Sequence, residues 1–132
     1  MELIQKHATE ILILLFLMVT FLQSGIDKVS DWKGNVSFIT GHFENSPLKS
    51  YTSILVAIIL VMELVAGAMM LVGIFHLATT GNKEVALLGT EICALTLVFL
   101  LIGQRLAKDY AGAMSLAVYF IITVFGVFLL NS

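Results

Sequence analysis

Four long apolar runs alternate with short polar segments along the chain. The runs cover approximately residues 8–28, 52–75, 84–106 and 110–130. A helix of about 20 apolar residues crosses the hydrocarbon core of a bilayer, which is about 30 Å thick. Backbone groups in lipid must be hydrogen-bonded within the protein, so each run is expected to be helical. The pattern predicts an all-α membrane protein: an antiparallel bundle of four transmembrane helices in a single transmembrane domain, residues 1–132.

The polar segment between the first two runs carries a helical pattern of its own. An apolar stripe recurs there at intervals of four, three and four residues: Trp32, Val36, Ile39 and Phe43. This spacing predicts a short amphipathic helix in the membrane interface, with Trp32 as its anchor. A loop packed over the end of the bundle would use similar residues, so that alternative stays open. Ser46-Pro47 has the form of an N-cap followed by proline at the first helical position, which predicts that the second span opens there.

Composition supports the membrane assignment and narrows the chemistry. Hydrophobic residues make up 59% of the chain and charged residues 12%, against about 25% charged in soluble domains. The net charge of −2 argues against a nucleic-acid partner. The single cysteine, Cys93, excludes an internal disulfide, a CxxC redox pair and a cysteine-ligated zinc or iron–sulfur site. We expect no metal site and no covalently bound cofactor. No histidine lies mid-span, so a redox role would need a diffusible cofactor such as quinone, or a partner subunit.

One carboxylate, Glu63, interrupts the second run. It lies about 15 Å from the start of that run, near the bilayer midplane. An ionised carboxylate at this depth costs at least about 2.5–3.5 kcal/mol, and such residues usually mark function. Glu63 is therefore the candidate catalytic residue, as a proton carrier; structural glue between helices is the alternative. Gly67, one turn further on the same face, would leave a notch for a neighbouring backbone or a flat ligand.

Alternating span directions bring several polar residues to the same side of the membrane as the start of the second span. These residues are Gln23, Asp27, Lys28, Gln104 and Arg105. With Glu63 they predict a polar funnel that leads inward from the segment 27–50. The binding residues of this funnel would be Gln23, Lys28, Gly67, Gln104 and Arg105. The cations could neutralise Glu63, although each alone could be an ordinary charge at a helix end. Glu91 belongs to the opposite half, close enough to the interface to reach water.

The basic residues give an orientation. The funnel side holds five of them and the other side two: Lys28, Lys33, Lys49, Arg105 and Lys108 against Lys6 and Lys83. The positive-inside rule then places the funnel side in the cytoplasm.

Two segments resemble the DoxX family of small four-helix membrane proteins. Phe21-Leu-Gln-Ser-Gly25-Ile-Asp-Lys28 is similar to the F-x-x-x-G-x-x-K of that family's first helix. Glu63-Leu-Val-Ala-Gly67, continued to Gly73, is similar to E-L-x-x-G-x-x-L-x-x-G in its second helix, with Met70 in place of the later Leu. The resemblance covers essentially the whole chain and implies the four-helix fold. It also implies a bacterial inner membrane location and singles out the motif residues: Phe21, Gly25, Lys28, Glu63, Gly67 and Gly73.

Three functions remain open at this stage. The family takes its name from a subunit of a thiosulfate:quinone oxidoreductase, so the first is a membrane subunit of a quinone-linked redox system. In it Glu63 would exchange a proton, and Lys28 or Arg105 would stabilise negative charge. The chain would then be at most one subunit of an oxidoreductase. The second is a non-catalytic scaffold of a larger complex, in contact with lipid and with other membrane subunits or copies of itself. The third is a carrier of a small solute or proton, which four spans without a repeat favour least.

Overall fold

The computed structural model describes residues 2–132 and confirms the antiparallel bundle of four long helices. Six α-helices follow one another: α1 (Glu2–Lys6), α2 (Ala8–Ser30), α3 (Trp32–His42), α4 (Thr52–Thr79), α5 (Glu84–Leu106) and α6 (Tyr110–Leu130). A 3-10 turn, Lys49–Tyr51, leads into α4. Helices α2, α4, α5 and α6 are each long and apolar enough to cross a membrane. Helices α5 and α6 begin and end where the third and fourth spans were predicted.

Each span packs mainly against the next one along the chain, and α6 closes the bundle against α2. The core is a cluster of buried side chains, including Leu14 and Leu17 of α2, Met70 of α4 and Leu97 of α5. The outward faces carry large apolar residues, as expected where lipid covers them. Helix association in lipid depends on close packing, because lipid tails are as apolar as the side chains themselves.

Small residues set the distance between α4 and α5. A Cβ built on Gly73 would lie 2.6 Å from Ala86 Cα, so the two backbones meet at this point. One helical turn further into the bundle, a Cβ on Gly89 would lie 3.2 Å from Met70 Cγ. The motif residue Gly73 therefore serves a helix crossing, in the way that small residues do in membrane proteins.

The short helix predicted between the first two spans is present as α3. Asp31 caps it by accepting a hydrogen bond from the Gly34 backbone at 3.2 Å. All members of the apolar stripe are half-buried. Thr40 and Thr52 share a hydrogen bond of 2.8 Å, which ties α3 to the start of α4. Phe43 lies against Gly103 near the end of α5, so the segment reaches from the end of α2 across to α5.

Helix α4 begins at Thr52, where the second span was predicted to start, but the predicted cap at Ser46 and the predicted end at residue 75 are wrong. Ser46 does not cap α4: its hydroxyl accepts from the Leu48 backbone at 3.2 Å inside a turn, and the helix begins only after the 3-10 turn. The span also continues to Thr79, one turn past the predicted end at residue 75. Leu77 in that turn is fully buried, so packing extends the helix. Gly81, with φ of 76°, then reverses the chain in a conformation that favours glycine.

Candidate functional site

Helices α2 and α4 interlock through two leucines and two glycines. A Cβ on Gly25 would lie 2.6 Å from Leu64 Cδ2, and a Cβ on Gly67 would clash with the Leu22 side chain. Each helix thus carries the sequence Leu-x-x-Gly, and each leucine fills the space above the other helix's glycine. Because the helices are antiparallel, the two contacts are reciprocal, and they fix the register of α2 against α4.

This register brings together Lys28 and Glu63, the charged residues of the two motifs. Lys28 Nζ lies 2.8 Å from Glu63 Oε1. Glu63 is 4% exposed, and the Lys28 side chain is 17% exposed. Glu63 sits about 16 Å along α4 from Thr52, at 1.5 Å per residue. A buried ion pair of opposite charges is the arrangement by which a carboxylate persists at such depth.

The position of Lys28 near the end of α2 explains how its ammonium reaches inward. In a helix the Cα–Cβ bond tilts toward the N-terminus, so this side chain leads back into the bundle. The ammonium donates a hydrogen bond of 2.7 Å to Ser24 Oγ, one turn earlier. Ser24 is a residue that the sequence pattern missed, although its spacing of four from Lys28 places both on one helix face.

The Glu63 carboxylate is held by charge more than by hydrogen bonds. Oε1 is shielded and has no hydrogen-bond partner among residues 2–132, so its contact with Lys28 is an ion pair rather than an aligned hydrogen bond. A carboxylate can accept about four hydrogen bonds. The buried Glu63 carboxylate can therefore still accept hydrogen bonds, and this is the property that makes it chemically useful.

The other residues of the predicted funnel do not join this pair. Gln23 is exposed on the outside of α2. Arg105 is also exposed, and its guanidinium lies over the Tyr110 ring, 5.1 Å from the centroid. Lys28 is therefore the cation that neutralises Glu63, and Arg105 does not. Asp27 is exposed as well.

Gln104 belongs to a second polar cluster, at the end of α5. His42 Nε2 donates to Gln104 Oε1 at 2.7 Å and lies 3.5 Å from Asp109 Oδ2. Asp109 in turn caps α6 by accepting from the Gly112 backbone at 2.9 Å. The cluster borders an open groove of about 450 Å³ between the end of α3 and the connection that follows α5. Neither His42 nor Asp109 was a predicted site residue, because His42 ends α3 and Asp109 lies in the connection to α6, and the sequence pattern does not show that these two places meet.

Gly67 does not present a free notch, because Leu22 occupies that space. A ligand that approached Glu63 across this face would have to displace the Leu22 side chain. The remaining motif residue, Phe21, is buried in the core of α2, one helical turn before Gly25.

The opposite end of the bundle holds a separate contact. His7 is buried, and its Nδ1 lies 3.1 Å from Glu10 Oε2. Among residues 2–132, no group of three or more histidine, cysteine, aspartate or glutamate side chains is arranged to hold a metal ion. Glu91, by contrast, points outward from α5.

The model of the DoxX family matches residues 11–80 of the chain. The matched range is more than half of the chain and contains both members of the Lys28–Glu63 pair. Neither the curated proteins nor the solved structures contain a match.

Proposed function

Because the chain belongs to the DoxX family, we propose that it is the membrane subunit of a quinone-linked redox system, with the Lys28–Glu63 pair at its reactive centre. The observation that carries the proposal is the buried Glu63 carboxylate, which is neutralised by Lys28 and keeps unused acceptor capacity. Intramembrane ionisable residues commonly form proton relays. The pair lies within the segment that the family model matches.

The residues present suit a quinone head-group. A quinone takes up two electrons and two protons on reduction, and its carbonyl oxygens accept hydrogen bonds. Lys28 supplies a donor and a positive charge beside that position. Glu63 can hold a proton on a carboxyl oxygen and release it to a neighbouring acceptor. Ser24 keeps the ammonium oriented while this happens, through its hydrogen bond of 2.7 Å.

Lys28 also sets the charge balance of the pair. With its ammonium 2.8 Å from Glu63 Oε1, loss of a proton from Glu63 leaves a neutral pair. Uptake of a proton leaves Lys28 as an uncompensated cation, which would stabilise negative charge on a molecule bound next to it. Electrons would come from a partner subunit, so the chain is one part of an oxidoreductase under this proposal.

A specific observation favours a second candidate, a non-catalytic scaffold. The motif glycines Gly25, Gly67 and Gly73 all accommodate residues of neighbouring helices. Under this candidate the ion pair fixes α2 against α4, and the bundle serves to hold other membrane subunits.

The test is Glu63→Gln, assayed in membranes that contain the native partners. Gln keeps the volume and can hydrogen-bond, but it cannot carry the proton. The redox function predicts a folded bundle with its partners and its bound quinone retained. Quinone-dependent turnover would fall by about 10²-fold or more, the usual effect of losing a general acid–base group.

Three measurements separate the candidates. Size-exclusion chromatography reports assembly, extraction of the purified protein reports bound quinone, and absorbance of the quinone reports turnover. Glu91→Gln is the matched control, because it makes the same change in a neighbouring span outside the pair. Full turnover in Glu63→Gln would reject the redox function, and loss of assembly without a specific loss of turnover would favour the scaffold.

A second variant tests access. Leu22→Ala removes the side chain that covers Gly67 and opens the face beside Glu63. Tighter binding of a short-chain quinone, at unchanged assembly, is expected if a ligand uses this face. If the contact only packs the helices, Leu22→Ala lowers stability and leaves quinone binding unchanged.

A further inference from the structure

Glu91 is an exposed carboxylate inside a transmembrane helix. It lies seven residues, or about 10 Å, beyond the start of α5 at Glu84, and its side chain faces outward from the bundle. It has no hydrogen-bond or ion-pair partner within the part of the chain that the structure describes. Ionisable residues in transmembrane segments almost always face an interior or a water-filled cavity and pair there. The single bundle therefore gives the Glu91 carboxyl no protein partner and leaves it to reach for water at the interface.

The residues around Glu91 form a continuous seam along α5. Six exposed positions follow one another at alternating intervals of four and three residues: Glu84, Leu88, Glu91, Leu95, Val98 and Ile102. Exposed positions at this spacing lie on one face of a helix, and in a left-handed pair of parallel helices each such position meets its counterpart. The lipid-facing sides of α4 and α6 show the same spacing, so the carboxylate Glu91 is the feature that distinguishes this face. Helix α5 packs on both α4 and α6, and the six positions of the seam remain exposed.

We propose that this seam joins two copies of the chain, with Glu91 of each copy hydrogen-bonded to Glu91 of the other. Copies inserted in the same orientation are related by an axis normal to the membrane, so the two carboxyls stand at the same depth without further adjustment. A pair of carboxyls that shares one proton has one donor and one acceptor, so Glu91 of one copy donates and Glu91 of the other accepts.

A second copy fits this face better than an apolar partner, because it offers Glu91 a carboxyl to hydrogen-bond with. A polar residue at one position of an otherwise apolar seam fixes the register and the partner. The other charged residues of the same face, Glu84 and Arg105, lie in the terminal turns of α5, where they reach water. The dimer does not involve the Lys28–Glu63 pair, so the result of its test does not depend on the proposed function.

Disulfide crosslinking in native membranes tests the seam. Cys93 is the chain's one cysteine and is buried, so Cys93→Ala gives a background without a native thiol. Leu88→Cys and Leu95→Cys flank Glu91 on the seam. Ile121→Cys on the outer face of α6 is the control, because it is 70% exposed and lies on another helix. Oxidation should give dimers of twice the chain mass from positions 88 and 95 and none from position 121.

Substitutions of Glu91 then test the carboxyl pair. Glu91→Gln keeps a donor and an acceptor and should retain crosslinking. Glu91→Leu removes both and should weaken dimerisation about tenfold, which corresponds to about 1.4 kcal/mol and lies within the range for hydrogen bonds between membrane helices.

Four results would overturn the proposal. They are monomers at every position, equal crosslinking from position 121, a product whose mass shows a different protein on the seam, and crosslinking that Glu91→Leu leaves unchanged. In the first case Glu91 reaches the headgroup region alone. In the last, apolar packing rather than the carboxyl pair holds the seam.

Discussion

A double-mutant cycle on Lys28 and Glu63 measures how far the bundle depends on their ion pair. At 2.8 Å the attraction between the charges is about 6 kcal/mol for an effective dielectric constant of 20. Desolvation of the two groups offsets most of this gain. The pair should therefore add little net stability, while the loss of one partner should be costly.

The two single substitutions are expected to differ. Lys28→Met leaves a carboxylate that is 4% exposed without its cation, which costs about 3–5 kcal/mol. Glu63→Leu leaves an ammonium whose side chain is 17% exposed and which keeps Ser24 as a partner. The long side chain can also extend toward water, so this loss should be about 1–2 kcal/mol.

The double variant, with both substitutions, should lie within about 1 kcal/mol of the wild type, because a buried pair can be replaced by apolar residues at little cost. The coupling free energy should then be at least about 2 kcal/mol. Unfolding by sodium dodecyl sulfate in mixed micelles gives these values, with the fluorescence of the single tryptophan, Trp32, as the signal. Additive effects of the two substitutions, or a smaller loss for Lys28→Met than for Glu63→Leu, would refute the reasoning.

Two further predictions concern the packing of α4 against α5 and the attachment of α3 to the bundle. Gly73→Ala should destabilise the bundle by about 1–3 kcal/mol, since its Cβ would meet the Ala86 backbone, and the same micelle titration measures it. Gly41→Ala is the matched control: nothing lies within 4 Å of its Cβ, so better helix propensity should stabilise α3 by about 0.5–1 kcal/mol. His42→Ala removes the hydrogen bond to Gln104, and a spin label on α3 should become more mobile while the spans stay folded.

Each of these predictions has a contrary outcome. Equal effects of alanine at positions 73 and 41 would mean that the α4–α5 crossing is not limited by backbone contact. An unchanged spin-label spectrum in His42→Ala would mean that α3 is held by its apolar stripe and by Thr40, and that the second cluster does not anchor it.

The sequence predicted the number, length and order of the spans because lipid imposes a simple requirement on them. About 20 apolar residues are needed to cross the membrane, and polar turns must lie outside it. The errors concern the Ser46 cap and the C-terminal end of α4, where local signals compete. Ser46-Pro47 has the form of a helix start, but Ser46 lies in a turn before the helix, and the burial of Leu77 accounts for the continuation of α4 past residue 75.

The candidate site was predicted only in part, because depth was considered without rotation about the helix axis. Gln23 and Lys28 differ by five residues, which places them about 140° apart on α2 at 100° per residue. They share a depth but face different ways, and only Lys28 meets Glu63. The same rotation, applied beforehand, would have grouped Lys28 with Ser24 and separated it from Gln23. The contact of Arg105 with Tyr110 depends on the connection to α6, and no periodic pattern encodes that geometry.

The reciprocal leucine–glycine contacts have a consequence for how the protein is made. Every residue of these contacts, and of the ion pair, lies in α2 or α4, so the first two spans can dock before α5 has been synthesised. A lone Glu63 would face an insertion penalty of about 2.5–3.5 kcal/mol as α4 leaves the translocon. If the two helices enter lipid as a docked hairpin, Lys28 is already beside the carboxylate, and the lipid receives a neutral unit instead of a charge. The ion pair would then matter most during biosynthesis, when it allows an acidic residue to be delivered into the membrane at all.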